Sequence, residues 1–111
     1  MEIGFRRETE QAFFRSTAQV RKKYGVACAR KIALRFTQIR AAASLDVLCK
    51  LPQARYQQVD ASRGEQFSFS LEYPLRLVVE VAEIPVPRLP DGGVDRAQVR
   101  RVAFVGITDA H

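Results

Sequence analysis

Arg76 is the side chain whose type and setting point most directly to chemistry. It falls in the stretch EQFSFSLEYPLRLVVEVA, residues 65–82, which reads as two alternating strands. In the first, Phe67, Phe69 and Leu71 lie on one face and Gln66, Ser68, Ser70 and Glu72 on the other. In the second, Leu75, Leu77, Val79 and Val81 share a face, with Arg76, Val78, Glu80 and Ala82 opposite. Such period-two alternation marks a half-buried antiparallel sheet. Tyr73-Pro74 separates the arms: the residue before proline is pushed out of the helical region, and proline fixes its own φ. Arg76 is therefore expected on a rigid strand, pointing away from the core. There it is either solvated, paired with Glu72 or Glu80, or part of a site. Its planar, permanently charged fork matches two oxygens of one phosphate.

Other candidates are sparser. His111 is the only histidine, the one side chain with a near-neutral unperturbed pKa, and it ends the chain as ITDAH. A terminal residue of this kind is either frayed or part of a site. Arg63 sits in the turn DASRG, residues 60–64. Cys28 and Cys49 lie in helix-like segments without a CxxC or Cys/His pattern, so they read as buried thiols. Neither a metal nor a small-molecule cofactor is expected.

Charge narrows the partner class. The net charge of +6 is uneven: residues 1–51 carry +7 and residues 52–111 carry −1. A basic half implies either an anionic partner (nucleic acid or an acidic protein segment) or a solvated helix surface. A chain of 111 residues holds one domain with a modest core. No apolar run approaches the ~20 residues that span a bilayer. The charged start MEIGFRRETE has no apolar signal core, so a cytoplasmic protein is expected.

The elements that must position these residues follow in order. EIGFR, residues 2–6, reads as a first strand. Thr9 caps a helix expected to run to about Tyr24, with Phe13, Val20 and Tyr24 inward and Gly25 closing it. A second helix spans Val26 to about Ala43. Its apolar stripe is Cys28, Ile32, Phe36 and Ile39, with Arg30, Lys31, Arg35 and Arg40 off the stripe. Ser44 caps a further turn ending at Pro52. ARYQQV, residues 54–59, reads as a second strand, ahead of the central hairpin. Residues 84–95 hold three prolines and two glycines and read as a long loop. Residues 98–108 read as an inner strand covered on both faces. The fold is thus α+β, ordered β-α-α-β-β-β-β, a helical hairpin packed on a twisted, mainly antiparallel sheet.

That order, together with LP at 51–52, SRGEQFS at 62–68, YPLRLVVE at 73–80 and ITDAH at 107–111, resembles the RelE/ParE superfamily of toxins. The likeness is greatest to HigB-like killer proteins of type II toxin–antitoxin systems. It implies a RelE-like fold, a helix-turn-helix HigA-like antitoxin as partner, and cleavage of mRNA on the ribosome. Metal-free RNA cleavage uses the 2′-hydroxyl as nucleophile, so the protein must gather cations around the phosphate and assist proton transfer.

On the resemblance, Arg76 matches the strand arginine and Arg63 the basic residue of the turn before the hairpin. His111 and Asp109 match the terminal histidine and aspartate, which implies acid/base or positioning roles for them. Gln57 stands where relatives usually carry a histidine, and Tyr56 beside it offers a ring for base stacking. Arg30 and Lys31 on the basic helix would meet RNA backbone. Asp60 replaces an expected lysine and Ala110 an expected tyrosine. These departures define a rival expectation, a catalytically degenerate relative acting as a protein-interaction module or a ParE-like inhibitor of a protein target.

Overall fold

In the structure, a computed structural model, residues 1–59 and 65–109 are described; Asp60, Arg63, Ala110 and His111 lie outside them. Among the described residues the fold is α+β, with four α-helices packed on one face of a five-stranded mixed sheet. Strands β1 (Glu2–Phe5), β2 (Gln57–Val59), β3 (Gln66–Ser70), β4 (Leu75–Val81) and β5 (Arg101–Asp109) lie in the order β1-β5-β4-β3-β2. All neighbours are antiparallel except β1 and β5, which run parallel.

The expected first helix is two. Helix α1 (Glu8–Arg15) stops at Ser16, whose extended backbone and hydroxyl start α2 (Thr17–Tyr24) by accepting from the Gln19 amide at 3.2 Å. Thr9 lies inside α1, so it is not the cap. Gly25, at φ 83°, ends α2 and opens α3 (Val26–Ala41); only glycine takes that conformation cheaply. Ser44 caps the short α4 (Leu45–Cys49) as expected, its hydroxyl accepting from Val47 N. The second strand is shorter than expected, because Pro52–Ala54 form a 3-10 turn before it.

The hairpin follows the alternation. Phe67, Phe69, Leu71, Leu77, Val79 and Val81 are buried against Ile32, Phe36, Ile39 and Leu48 of the helices. A ring cluster of Phe5, Phe14, Phe36 and Phe104 fills the other half of the core; Phe14 and Phe104 lie 4.9 Å apart, edge to face. Burying large rings of this kind supplies roughly 1.5–3 kcal/mol each.

Two expectations fail in instructive ways. Strand β5 is inner in the sheet, yet it starts only at Arg101 and is fully covered on one face alone: Val102 and Phe104 are buried while Ala103 and Val105 are half-exposed. Arg35, expected off the apolar stripe of α3, is buried instead, 4% exposed. The long loop 84–95 carries only an isolated bridge between Arg88 and Val94, closed by a turn at Gly92. No helix among the described residues is long and apolar enough to cross a membrane.

Candidate functional site

Directly paired residues on neighbouring strands share a face. Arg76 pairs with Ser70 on one side and Thr108 on the other, and its neighbour Leu77 is core. Arg76 therefore rises from the sheet face away from the helices. Its Nε donates to Ser68 Oγ at 2.8 Å, and Nη2 donates to the Ser68 carbonyl at 3.1 Å and to the Arg55 carbonyl. These bonds fix the guanidinium at the end of the sheet.

A second arginine reaches the same place from the helical layer. Arg35 passes the end of β3, donating from Nε to the Ser70 carbonyl (2.8 Å) and from Nη2 to the Gln53 carbonyl (2.8 Å). Its Nη1 donates to Gln38 Oε1 at 3.1 Å. Every one of these acceptors is neutral. Burial pushes the Arg35 pKa down. Arg76 is pushed down first by its own burial and then by the charge of Arg35. Both stay protonated at neutral pH, since arginine starts so high.

Lys31, Arg35, Gln53, Arg55, Gln57 and Arg76 line one open cleft of about 510 Å³, with Tyr73 and Pro74 at its lip. Arg55 enters it from the residue after the 3-10 turn, with φ 45° and ψ 59°. Lys31 bonds Glu72 at 3.1 Å. Glu80, four residues along from Arg76, is held instead by Arg6 and by Gln66. Among the described residues no carboxylate pairs with Arg35, Arg55 or Arg76. Arg35 and Arg76, two like charges fixed by neutral acceptors, repel each other, and an anion placed between them relieves that repulsion. The cleft can therefore bind a phosphate or carboxylate. Among the described residues no group of three or more His, Cys, Asp or Glu is placed to hold a metal ion.

The expected site residues divide accordingly. Arg76, Lys31 and Gln57 are brought together in the cleft. Tyr56 turns to a neighbouring concavity, where its ring meets Arg96, and Arg30 is exposed on α3 outside the cleft lining. Asp109 pairs with Leu75, not with Arg76, and so falls on the opposite face of the sheet. Arg63 and His111 lie outside the described residues.

Arg35 and Arg55 were missed. A signal for Arg35 existed: Ile32, Arg35, Phe36 and Ile39 continue the three-and-four spacing of the stripe, so position 35 belongs to the apolar arc. Arg55 has no comparable signal in the sequence. No family model, curated protein or solved structure matches the chain.

Proposed function

We propose that this chain is a HigB-like toxin of the RelE/ParE type, acting in the cytoplasm as a ribosome-dependent mRNA endonuclease. The observation that carries the reading is the cluster of Arg76, Arg35 and Arg55 in one cleft, none paired with a carboxylate among the described residues. Arg76 and Arg35, fixed by neutral acceptors, keep their charge available for a phosphodiester. They would grip the scissile phosphate and stabilise the charge that grows on it as the 2′-hydroxyl attacks. Exposed Lys31 and Arg30 would extend the contact along the RNA backbone, making it salt-dependent. A helix-turn-helix antitoxin would neutralise the protein by laying acidic side chains over the same cations.

The test is induction of the wild-type chain in a bacterium beside Arg76→Ala. Growth arrest with new mRNA 5′ ends, both lost in Arg76→Ala, is the expected result. Wild-type induction that leaves growth and 5′ ends unchanged ends the nuclease reading.

One observation favours a second reading. The described cleft residues offer cations, amides and the hydroxyls of Ser70 and Tyr73 but no carboxylate or imidazole, and Asp109 is registered to the other face. A chain that grips an anion without moving a proton would be a binding module or a ParE-like inhibitor of a protein target. Toxicity that survives loss of both Arg76 and His111 would select it.

A further inference from the structure

Helix α1 has no buried residue, so it lies on the core without sealing it. Between α1, α3 and β1 an open cavity of about 230 Å³ remains. Ile3 and Phe5 of β1, Phe14 of α1 and Phe36 of α3 line it. The rings pack on one another: Phe5 lies 6.0 Å from Phe14 and 5.8 Å from Phe36, and Phe14 lies 5.5 Å from Phe36. Phe5 and Phe14 are nevertheless only half-buried, so apolar ring surface stays in contact with water. Covering that surface is favourable.

Two cations stand at the same cavity. Arg15 of α1 and Arg40 of α3 both line it, and both are exposed. The Arg40 guanidinium carbon lies 5.6 Å from the Phe36 ring centroid, a contact that engages none of its N–H donors. Among the described residues neither arginine is ion-paired, and no acidic residue lines the cavity. A concave apolar floor with a few polar groups beside it is the usual form of a small-ligand site. The cations set the ligand's charge, since arginine's planar fork matches a carboxylate. The volume sets its size: an apolar cavity of about 150 Å³ holds one benzene ring. A hollow of about 230 Å³ takes one ring or a short alkyl chain, with the carboxylate among the arginines. A partner helix or strand would need a groove several side chains long.

We propose that this cavity is a binding site for a compact apolar monocarboxylate. The ring or alkyl chain sits on Phe5, Phe14 and Phe36, and Arg15 and Arg40 hold the carboxylate. The site shares no lining residue with the arginine cleft, so it stands or falls independently of the RNA reading.

Phenylacetate is the probe, titrated into the full chain and followed by methyl NMR. Ile3, Ala33 and Thr37 line the cavity and report on it, while Leu75 lines the arginine cleft and serves as control. The cavity methyls are expected to titrate with a Kd of about 1 mM, the scale for a ligand of about ten non-hydrogen atoms. Phenylacetamide, the same shape without the charge, should bind about fivefold more weakly. Acetate, the charge without the ring, should leave the cavity methyls unmoved. Arg15→Gln combined with Arg40→Gln should bring phenylacetate down to the affinity of phenylacetamide. Ala33→Leu, at an exposed helix position, should plug the cavity against both. Equal affinity for phenylacetate and phenylacetamide would take the arginines out of the site and overturn the proposal. Shifts at Leu75 alone would send the carboxylate to the arginine cleft, and unchanged binding in Ala33→Leu would put it elsewhere; either result overturns it. Sedimentation as a dimer that Ala33→Leu breaks would mean that a second copy covers the cavity, and the proposal would fall.

Discussion

The guanidinium of Arg76 donates to the carbonyl oxygen of Arg55, a residue in the left-handed region at φ 45°. The two observations are linked. Pro52 begins a single 3-10 turn, Arg55 N closes it on the Pro52 carbonyl at 3.3 Å, and the left-handed step then turns the Arg55 carbonyl toward β4. The backbone at Arg55 thus orients one cation of the cleft while its side chain supplies another.

This separates two contributions of one residue. Left-handed φ costs a residue with a Cβ roughly 1–2 kcal/mol, and glycine avoids that cost. Arg55→Gly should keep the carbonyl in place, with stability equal to the wild type or raised by up to about 1 kcal/mol in urea unfolding. Arg55→Val should lose about 1–2 kcal/mol, since a β-branched side chain tolerates the conformation poorly. With a single-stranded RNA, Arg55→Gly should flatten the slope of log K against log salt by about 0.7, one cation's share. An unchanged slope would remove Arg55 from the RNA contact.

Inorganic phosphate should stabilise the folded protein, because the native cleft gathers the cations and the unfolded chain does not. At phosphate about tenfold above its dissociation constant the gain is roughly 1.4 kcal/mol, or about 5 °C in Tm for a domain of this size. Sodium chloride at equal ionic strength should give no such rise, and Arg76→Ala should blunt the response to phosphate. Equal shifts in wild type and Arg76→Ala would place the anion elsewhere.

On the proposed nuclease reading, Asp109→Asn should change mRNA cleavage by less than about tenfold, whereas a group acting as acid or base commonly contributes ~10²–10⁴-fold. The reason lies in the register of β5. Its pairing with β4 shifts between Val78 and Val79, so that Val79 meets Phe104 but Val78 meets Gly106, leaving Val105 as the extra residue. Counted without that bulge from buried Phe104, residue 109 falls on the Arg76 face; with it, Asp109 falls on the face of Leu75. A hundredfold loss of mRNA cleavage in Asp109→Asn, with RNA affinity retained, would show that the terminal segment brings the carboxylate round to the cleft.

The same strand shows where sequence reading stops. The hairpin of β3 and β4 was legible because one apolar face and one polar face leave a single register that buries Phe67, Phe69, Leu77 and Val79. In β5 the run VAFVGI is apolar on both parities, so nothing in it announces a change of face, and Gly106 is the only local hint of the irregularity. The cleft was legible in part for a related reason. Arg76 belongs to an alternating strand and could be placed on a face. Arg35 and Gln53 meet at Ser70 only because α3, the 3-10 turn and β3 converge in three dimensions, and no local pattern encodes that meeting.

Ser16 gives a prediction in which two folds differ in sign. Were residues 9–24 one continuous helix, Ser16 would be a mid-helix residue, and Ser16→Ala would raise stability by roughly 0.5 kcal/mol through helix propensity. In the structure Ser16 instead sits between α1 and α2 with φ −92° and ψ 102°, and its hydroxyl accepts from Gln19 N. Alanine there removes the acceptor and leaves the first amides of α2 to water, at a cost of about 1 kcal/mol. Ser16→Asp should be tolerated, since a carboxylate also caps and favours the positive end of the helix. Phe13 and Phe14 lie 5.0 Å apart within α1, and the break lets Tyr24 of α2 return to Phe13 at 6.4 Å, so α1 and α2 close over one end of the ring cluster. Urea unfolding of Ser16→Ala and Ser16→Asp side by side reads the sign, and a stabilised Ser16→Ala would mean that the helix runs through.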